Sequence, residues 1–198
     1  MRFRSVKAVH GLSSARIRKS CSMRIGMPFL QNISCLQIKS KPAFLYEWEN
    51  DSSLWMYSDT IAPLSKTLLY DYASNYDADI FKARQLRLII TMKDDPQRLP
   101  IGMVDIFDLD ARHLRASIGI LIIPTHRKQG FAREAINLLA DYAYKIIGLK
   151  SLTAHIPTIN KSSISLFTSC DFSDVGVLHQ WHRYGTEYLD VALMQRLL

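Results

Sequence analysis

The stretch 119–135, Gly119-Ile120-Leu121-Ile122-Ile123-Pro124-Thr125-His126-Arg127-Lys128-Gln129-Gly130-Phe131-Ala132-Arg133-Glu134-Ala135, limits what this chain can fold into more than any other. Its apolar half does not alternate, which suits a strand buried on both faces. Pro124 stops that strand, since proline has no N–H to give a sheet. From Gly130 the period changes. Phe131, Ala135, Ile136, Leu138, Leu139, Tyr142, Ala143 and Ile146 recur on one face of a helix that runs to Ile147 and stops at Gly148. A buried strand joined to an amphipathic helix requires a sheet with helices packed on it. The join also carries chemistry. The first amides of a helix have no internal partners and its dipole makes that end positive, so it binds phosphate. Gly130 has no side chain to obstruct a phosphate, Ala132 keeps the approach open two residues later, and Arg127 and Lys128 add positive charge.

The flanking patterns complete the sheet. Residues 33–38 read as a first short strand, and Pro42 opens a helix over 43–49. Asp51 or Ser52 caps a short turn holding Leu54 and Trp55, and a second helix covers 66–75. Strands are expected over 86–90, 100–107 and 115–123, separated by polar turns at 93–97 and 108–112. These make an antiparallel meander. After the main helix come a strand over 149–156, a short helix over 160–169, and strands over 175–181 and 187–194 about a Tyr184-Gly185 turn. The expected class is α/β (α+β): one mixed, mostly antiparallel sheet flanked by helices.

The net charge of +7 belongs to one end. Residues 1–28 hold seven Lys and Arg and no acid, while the remaining 18 basic residues equal the 18 acidic ones. The chain therefore divides into a basic N-terminal extension, 1–28, and a domain, 29–198. The basic balance gives no ground for a nucleic-acid-binding core. The extension is rich in Arg and Ser. It reads as a disordered arm, an organellar targeting segment, or the product of a start codon upstream of a true one at Met23 or Met27. The three cysteines show no paired or zinc spacing, so reduced thiols, a cytoplasmic setting and no metal are expected. No apolar run approaches the ~20 residues that span a bilayer, and no membrane partner is expected.

Arg127-Lys128-Gln129-Gly130-Phe131-Ala132 matches Arg/Gln-x-x-Gly-x-Gly/Ala. This resembles the coenzyme A pyrophosphate loop of the GNAT superfamily of N-acetyltransferases. The likeness extends to Tyr46-Glu47-Trp48-Glu49-Asn50-Asp51, to Ile101-Gly102, and to Asn160-Lys161-Ser162-Ser163-Ile164-Ser165-Leu166-Phe167, in the family's order over about residues 33–196. The stretch at Tyr46 is similar to one found in the ribosomal-protein-acetylating and spermidine-acetylating branches. The resemblance implies acetyl-CoA as cosubstrate. The backbone of Ile120, Leu121 and Ile122 would meet the pantetheine arm, and Arg127, Lys128, Gln129, Gly130, Phe131, Ala132 and Arg133 the pyrophosphate. Asn160 and Ser163 would contact the cofactor from the other side. A primary amine, on a polyamine-like molecule or a protein N-terminus or lysine, would attack the acetyl carbonyl directly, polarised by the Ile122 backbone amide. The alternative is a non-catalytic module of the same fold that senses acyl-CoA. A homo-oligomer is compatible with either.

The sequence departs from the family pattern at Phe167, where the family's thiolate-protonating tyrosine usually stands and where phenylalanine has no proton to give. Ser169-Cys170-Asp171-Phe172 likewise replaces Leu-Gly-Phe. For the acceptor side, Glu47 and Glu49 are candidates to bind or deprotonate a cationic amine, or are a solvated helix face. Asp105 and Asp108 are strand acids able to act through water, or turn acids. His155 faces either cleft or core. Trp48, Trp55, Trp181 and Tyr184 are candidate pocket walls or ordinary core.

Overall fold

The computed structural model describes residues 33–37, 42–58, 60–75 and 79–198, and the basic segment 1–28 lies outside them. Seven strands form one sheet: β1 (Ile33–Gln37), β2 (Leu86–Met92), β3 (Pro100–Asp110), β4 (Arg115–Ile122), β5 (Ser151–Pro157), β6 (Ser173–Tyr184) and β7 (Glu187–Leu197). Their spatial order is β1-β2-β3-β4-β5-β7-β6. Every neighbouring pair is antiparallel except β4 and β5. The expected mixed, mostly antiparallel sheet is thus the observed one.

Alternation along the strands divides the core in two. Leu86, Leu88 and Ile90 of β2, with Val104 and Ile106 of β3, face α4 (Phe131–Tyr142) and α5 (Lys161–Thr168). Ile89 and Met103 face the other way, against α1 (Pro42–Glu49) and α2 (Lys66–Ser74), through Leu45, Leu69 and Ala73. Of the apolar stripe read for the main helix, Phe131, Ala135, Ile136, Leu139, Tyr142 and Ala143 are buried and Leu138 is partly so, while Ile146 is exposed because the π turn rotates it away, and Ala140 joins the core instead.

Some boundaries differ from expectation. The main helix widens after Tyr142 into a π turn, Ala143–Ile147, before Gly148 (φ 81°) ends it in the left-handed region. β3 runs on to Asp110 through a bulge in which Asp108 has φ 50°, where a turn was expected from Asp108. A four-residue helix, α3 (Ile80–Ala83), is capped by the Asp79 side chain and is too short to show a period in sequence. β6 is longer than the expected 175–181. Its bulge between Leu178 and His182 is held by Asp190, which accepts from the Gln180 amide at 2.8 Å.

Candidate active site

β4 and β5 pair only through Arg115↔Ser151, Ala116↔Leu152 and Ser117↔Thr153. Ser117 Oγ and Thr153 Oγ1, 3.3 Å apart, sit at the last of these steps. Beyond it the strands part. The Ile123 amide donates to Ile101 O at 3.0 Å, and the Leu121 carbonyl points at Gly102 on β3. Antiparallel neighbours alternate in direction, so the N–H and C=O of Ile120 and Ile122 face away from β3, toward the gap. Of the three residues expected to present their backbone to a pantetheine arm, Ile120 and Ile122 have groups turned to the gap, while the Leu121 groups are turned to β3 and are not available to it.

The loop after β4 is held from within. The Arg127 Nε donates to Ile122 O at 2.9 Å, and Gln129 Nε2 donates to Thr125 O at 3.1 Å. Lys128 and Gly130 lie in the left-handed region at φ 60° and 87°. No side chain caps α4, and a Cβ built on Gly130 would meet nothing within 4 Å. The helix thus begins with uncapped amides facing open space, as anion binding requires. The Phe131 side chain lies in the core, so the contact expected of it falls to its amide. Arg133 is exposed and donates to Ser169 Oγ at 3.2 Å, which ties α4 to the end of α5. At the start of α5, Asn160 Oδ1 accepts from the Ser163 amide at 3.1 Å and from Ser162 Oγ at 2.9 Å, leaving its amide nitrogen for other partners.

The acceptor-side candidates separate. Glu47 is exposed. Glu49 is buried, and accepts from Arg87 Nη1 at 2.8 Å. Arg87 also donates to Asp105 Oδ2, from Nη2 at 2.9 Å and Nε at 3.3 Å, with the Tyr72 ring 6.0 Å from its guanidinium carbon. Burial raises the Glu49 carboxyl above the ordinary glutamate value, against the lowering effect of Arg87. Asp51 accepts from the Ser53 amide and caps the turn Ser52–Tyr57. His155 is the exposed residue of an otherwise covered β5. Trp55, Trp181 and Tyr184 line one groove of about 540 Å³ with Ser58, Thr60 and Ile61, whereas Trp48 packs on the α1–α2 side of the sheet beside Phe44.

The acetyltransferase (GNAT) domain model matches residues 36–173, more than half of the 198-residue chain. The chain belongs to the GNAT acetyltransferase family. It is similar to the spermidine N(1)-acetyltransferase of Vibrio cholerae, at 29% identity over 119 residues, covering 60% of this chain and 67% of the relative. It is also similar to the uncharacterized N-acetyltransferase YoaA of Bacillus subtilis, at 37% identity over 89 residues, covering 44% and 50%. The matched stretches thus span from half to two thirds of these relatives. A crystal structure of spermidine N-acetyltransferase from Vibrio cholerae in complex with CoA and spermine superposes with a TM-score of 0.73 at 25% identity, covering 83% of this chain and 94% of that one. Another, of the Vibrio cholerae enzyme in complex with manganese ions, gives 0.66 at 26% identity, covering 83% and 91%.

Two departures from the GNAT pattern have physical consequences. Phe167 is buried and packs edge-on against Phe172, with ring centroids 5.0 Å apart. Asp171 stands where the family writes glycine and adopts φ 62°, a conformation aspartate tolerates better than most residues. Burial pushes the Cys35 thiol up to about 12 and also raises that of Cys170, so neither is primed as a nucleophile for a covalent acetyl intermediate. Among the described residues no group of three or more His, Cys, Asp and Glu side chains is placed to hold a metal ion, and no helix is long and apolar enough to cross a membrane. Sequence reasoning passed over Arg87 and Gly119. A lone arginine inside an apolar strand was the available signal, because a buried guanidinium requires a buried carboxylate.

Proposed function

We propose that this GNAT N-acetyltransferase moves the acetyl group of acetyl-CoA to a primary amine by direct attack in a ternary complex. The observation that carries the reading is the parting of β4 from β5 beside an uncapped helix start, with Ile120 and Ile122 turning backbone groups into the gap. The pantetheine arm would lie along that edge, and the pyrophosphate at the amides of Gly130, Phe131 and Ala132, with Arg127, Lys128, Gln129 and Arg133 around it. Asn160 and Ser163 would meet the cofactor from α5. The acceptor ammonium would first give a proton to water, the Ile122 amide would polarise the thioester carbonyl, the neutral amine nitrogen would attack the carbonyl carbon, and the C–S bond would break to release the coenzyme A thiolate as the nitrogen sheds a second proton to water. With Phe167 in the core, that thiolate takes its proton from water.

The groove lined by Trp55, Trp181 and Tyr184 is read as the acceptor's approach. Aromatic faces attract cations, and Glu47 adds an exposed acid on α1 outside the groove's lining, while Arg183, which lines the groove, is turned to Gly185 O by its Nε. These features favour a cationic amine, either a small polyamine-like molecule or a protein N-terminus or lysine. The relative crystallised with CoA and spermine lends weight to the former.

Calorimetric titration of the full chain with acetyl-CoA, beside a Gly130→Glu variant, tests the reading. The wild type should bind saturably. The variant should lose binding, because it puts a carboxylate and a strained left-handed residue where the pyrophosphate would sit. Coenzyme A release in the presence of an amine panel then identifies the acceptor class. Binding without release to any amine would make the chain an acyl-CoA sensor, and no binding by the wild type would overturn the proposal.

A further inference from the structure

Two carboxylates and one guanidinium meet under α1 and α2: Glu49, Arg87 and Asp105, all at most 4% exposed. Arg87 directs both Nε and Nη2 to the same oxygen of Asp105, Oδ2. No donor among the described residues reaches the other oxygen, Oδ1. Among the described residues Oδ1 is not one of the fully buried side-chain atoms left without a partner, so it keeps contact with solvent and a ligand can reach it. Its direction suggests a partner. Asp105 pairs with Gly119 across β3 and β4, and a Cβ on Gly119 would lie 3.1 Å from Oδ1. The missing side chain leaves Oδ1 lying over β4. Gly119 is two residues past Ser117, the last residue of β4 that pairs with β5, so Oδ1 sits at the start of the gap. The groove is tied to α1 through the main chain, not through the cluster's side chains. The Trp55 indole, one of its walls, donates to the Glu49 carbonyl at 3.0 Å.

We propose that Asp105 Oδ1 receives the ammonium of the acceptor amine, which makes Asp105 the residue that selects a cationic acceptor and sets it against the thioester. This rests on the acetyltransferase reading above. Arg87 and Glu49 are positioning residues: the guanidinium holds Oδ2, so Oδ1 stays turned to β4, and Glu49 holds the guanidinium. Arg87 engages Oδ2, and an arriving ammonium supplies a donor to Oδ1.

The test compares two amine classes and two variants in full-length protein. Acetyl-CoA affinity is measured first, by calorimetry. Its absence in the wild type would sink the acetyltransferase reading and not this one alone. Asp105→Asn keeps the shape and removes the charge. Gly119→Ala keeps the ion cluster and inserts a methyl group 3.1 Å from Oδ1 and 3.4 Å from Phe107. With an alkylamine, which is charged at neutral pH, both variants should raise KM by roughly 10- to 100-fold, the range of a lost charge-assisted hydrogen bond. Acetyl-CoA affinity should stay within about twofold. With an arylamine, uncharged at neutral pH, Asp105→Asn should leave KM unchanged. Equal losses for the two amines, or an unchanged alkylamine KM in both variants, would overturn the proposal. If Asp105→Asn fails to fold, Gly119→Ala decides by the same comparison: a rise in alkylamine KM with the arylamine KM within about twofold supports the proposal, and an equal rise in both overturns it.

Discussion

Glu49 shows how one carboxyl can serve the fold rather than the substrate. It ends α1 on the same stripe as the buried Leu45, four residues earlier, whereas Glu47 lies two residues away and points to solvent. Its ionised form suffers from burial first, is helped by Arg87 and is opposed by Asp105, so its pKa stands above the ordinary 4.5. An acid whose folded pKa is raised gives its full stability below its unfolded value and loses it as pH rises through the folded one. Glutamine resembles the protonated acid and keeps an oxygen for Arg87. Glu49→Gln should therefore melt above the wild type at neutral pH, with the gap closing toward about pH 4. Melting curves across that range check this, and a constant gap would mean that Glu49 is ionised in the fold throughout. The sequence reading put both glutamates among the acceptor candidates, or on a solvated helix face. It did not show that they part company, because that depends on which helix face meets Arg87, a residue 38 positions away.

At the scale of elements, the Ile101-Gly102 pair gains a reason. A Cβ on Gly102 would collide with the Leu121 carbonyl and lie 2.8 Å from the Ile122 side chain. Glycine there lets β3 approach β4 just where β4 turns Ile122 to the gap. Gly102→Ala should destabilise the fold by about 1–3 kcal/mol, as overpacking does. It should also weaken acetyl-CoA binding, since the displaced backbone is the edge proposed to hold it. Denaturant unfolding and calorimetry read the two effects, and lost stability with intact affinity would uncouple Ile122 from the cofactor. The β1 strand, the meander, the main helix and the turn that leads into it were all legible, because alternation, turn residues and the 3.6-residue stripe are local signals. The parting of β4 and β5 was not legible from periodicity. Nothing in either strand marks where pairing stops. Trp48, Trp55, Trp181 and Tyr184 were equally open as pocket wall or core; the last three line the groove and Trp48 packs on the second core, a division local sequence does not carry.

Across the whole molecule, the parted strands leave a sheet in two halves, β1 to β4 and β5 with β7 and β6. At the narrow end three register pairs join them, with the Lys150 amide on Leu114 O at 2.6 Å. Beneath the sheet α4 spans the division, with Asn137 accepting from Arg196 of β7 at 2.8 Å. A ligand lying along Ile120 and Ile122 and reaching Asn160 would close the open end, so its binding energy becomes an attachment between halves. With acetyl-CoA at 100 times its Kd, linkage adds about 2.7 kcal/mol to unfolding. For a domain of this size, that should raise the melting temperature by roughly 5–10 °C. The location of the effect matters more than its size. Amide exchange should slow on both sides of the gap, at 119–122 in β4 and 154–157 in β5, while β1 changes little. A thermal shift with protection on β4 alone would place the cofactor on one half and remove α5, with Asn160 and Ser163, from its binding site. Protection on both sides would mean that the gap between the halves is closed by the molecule the enzyme consumes.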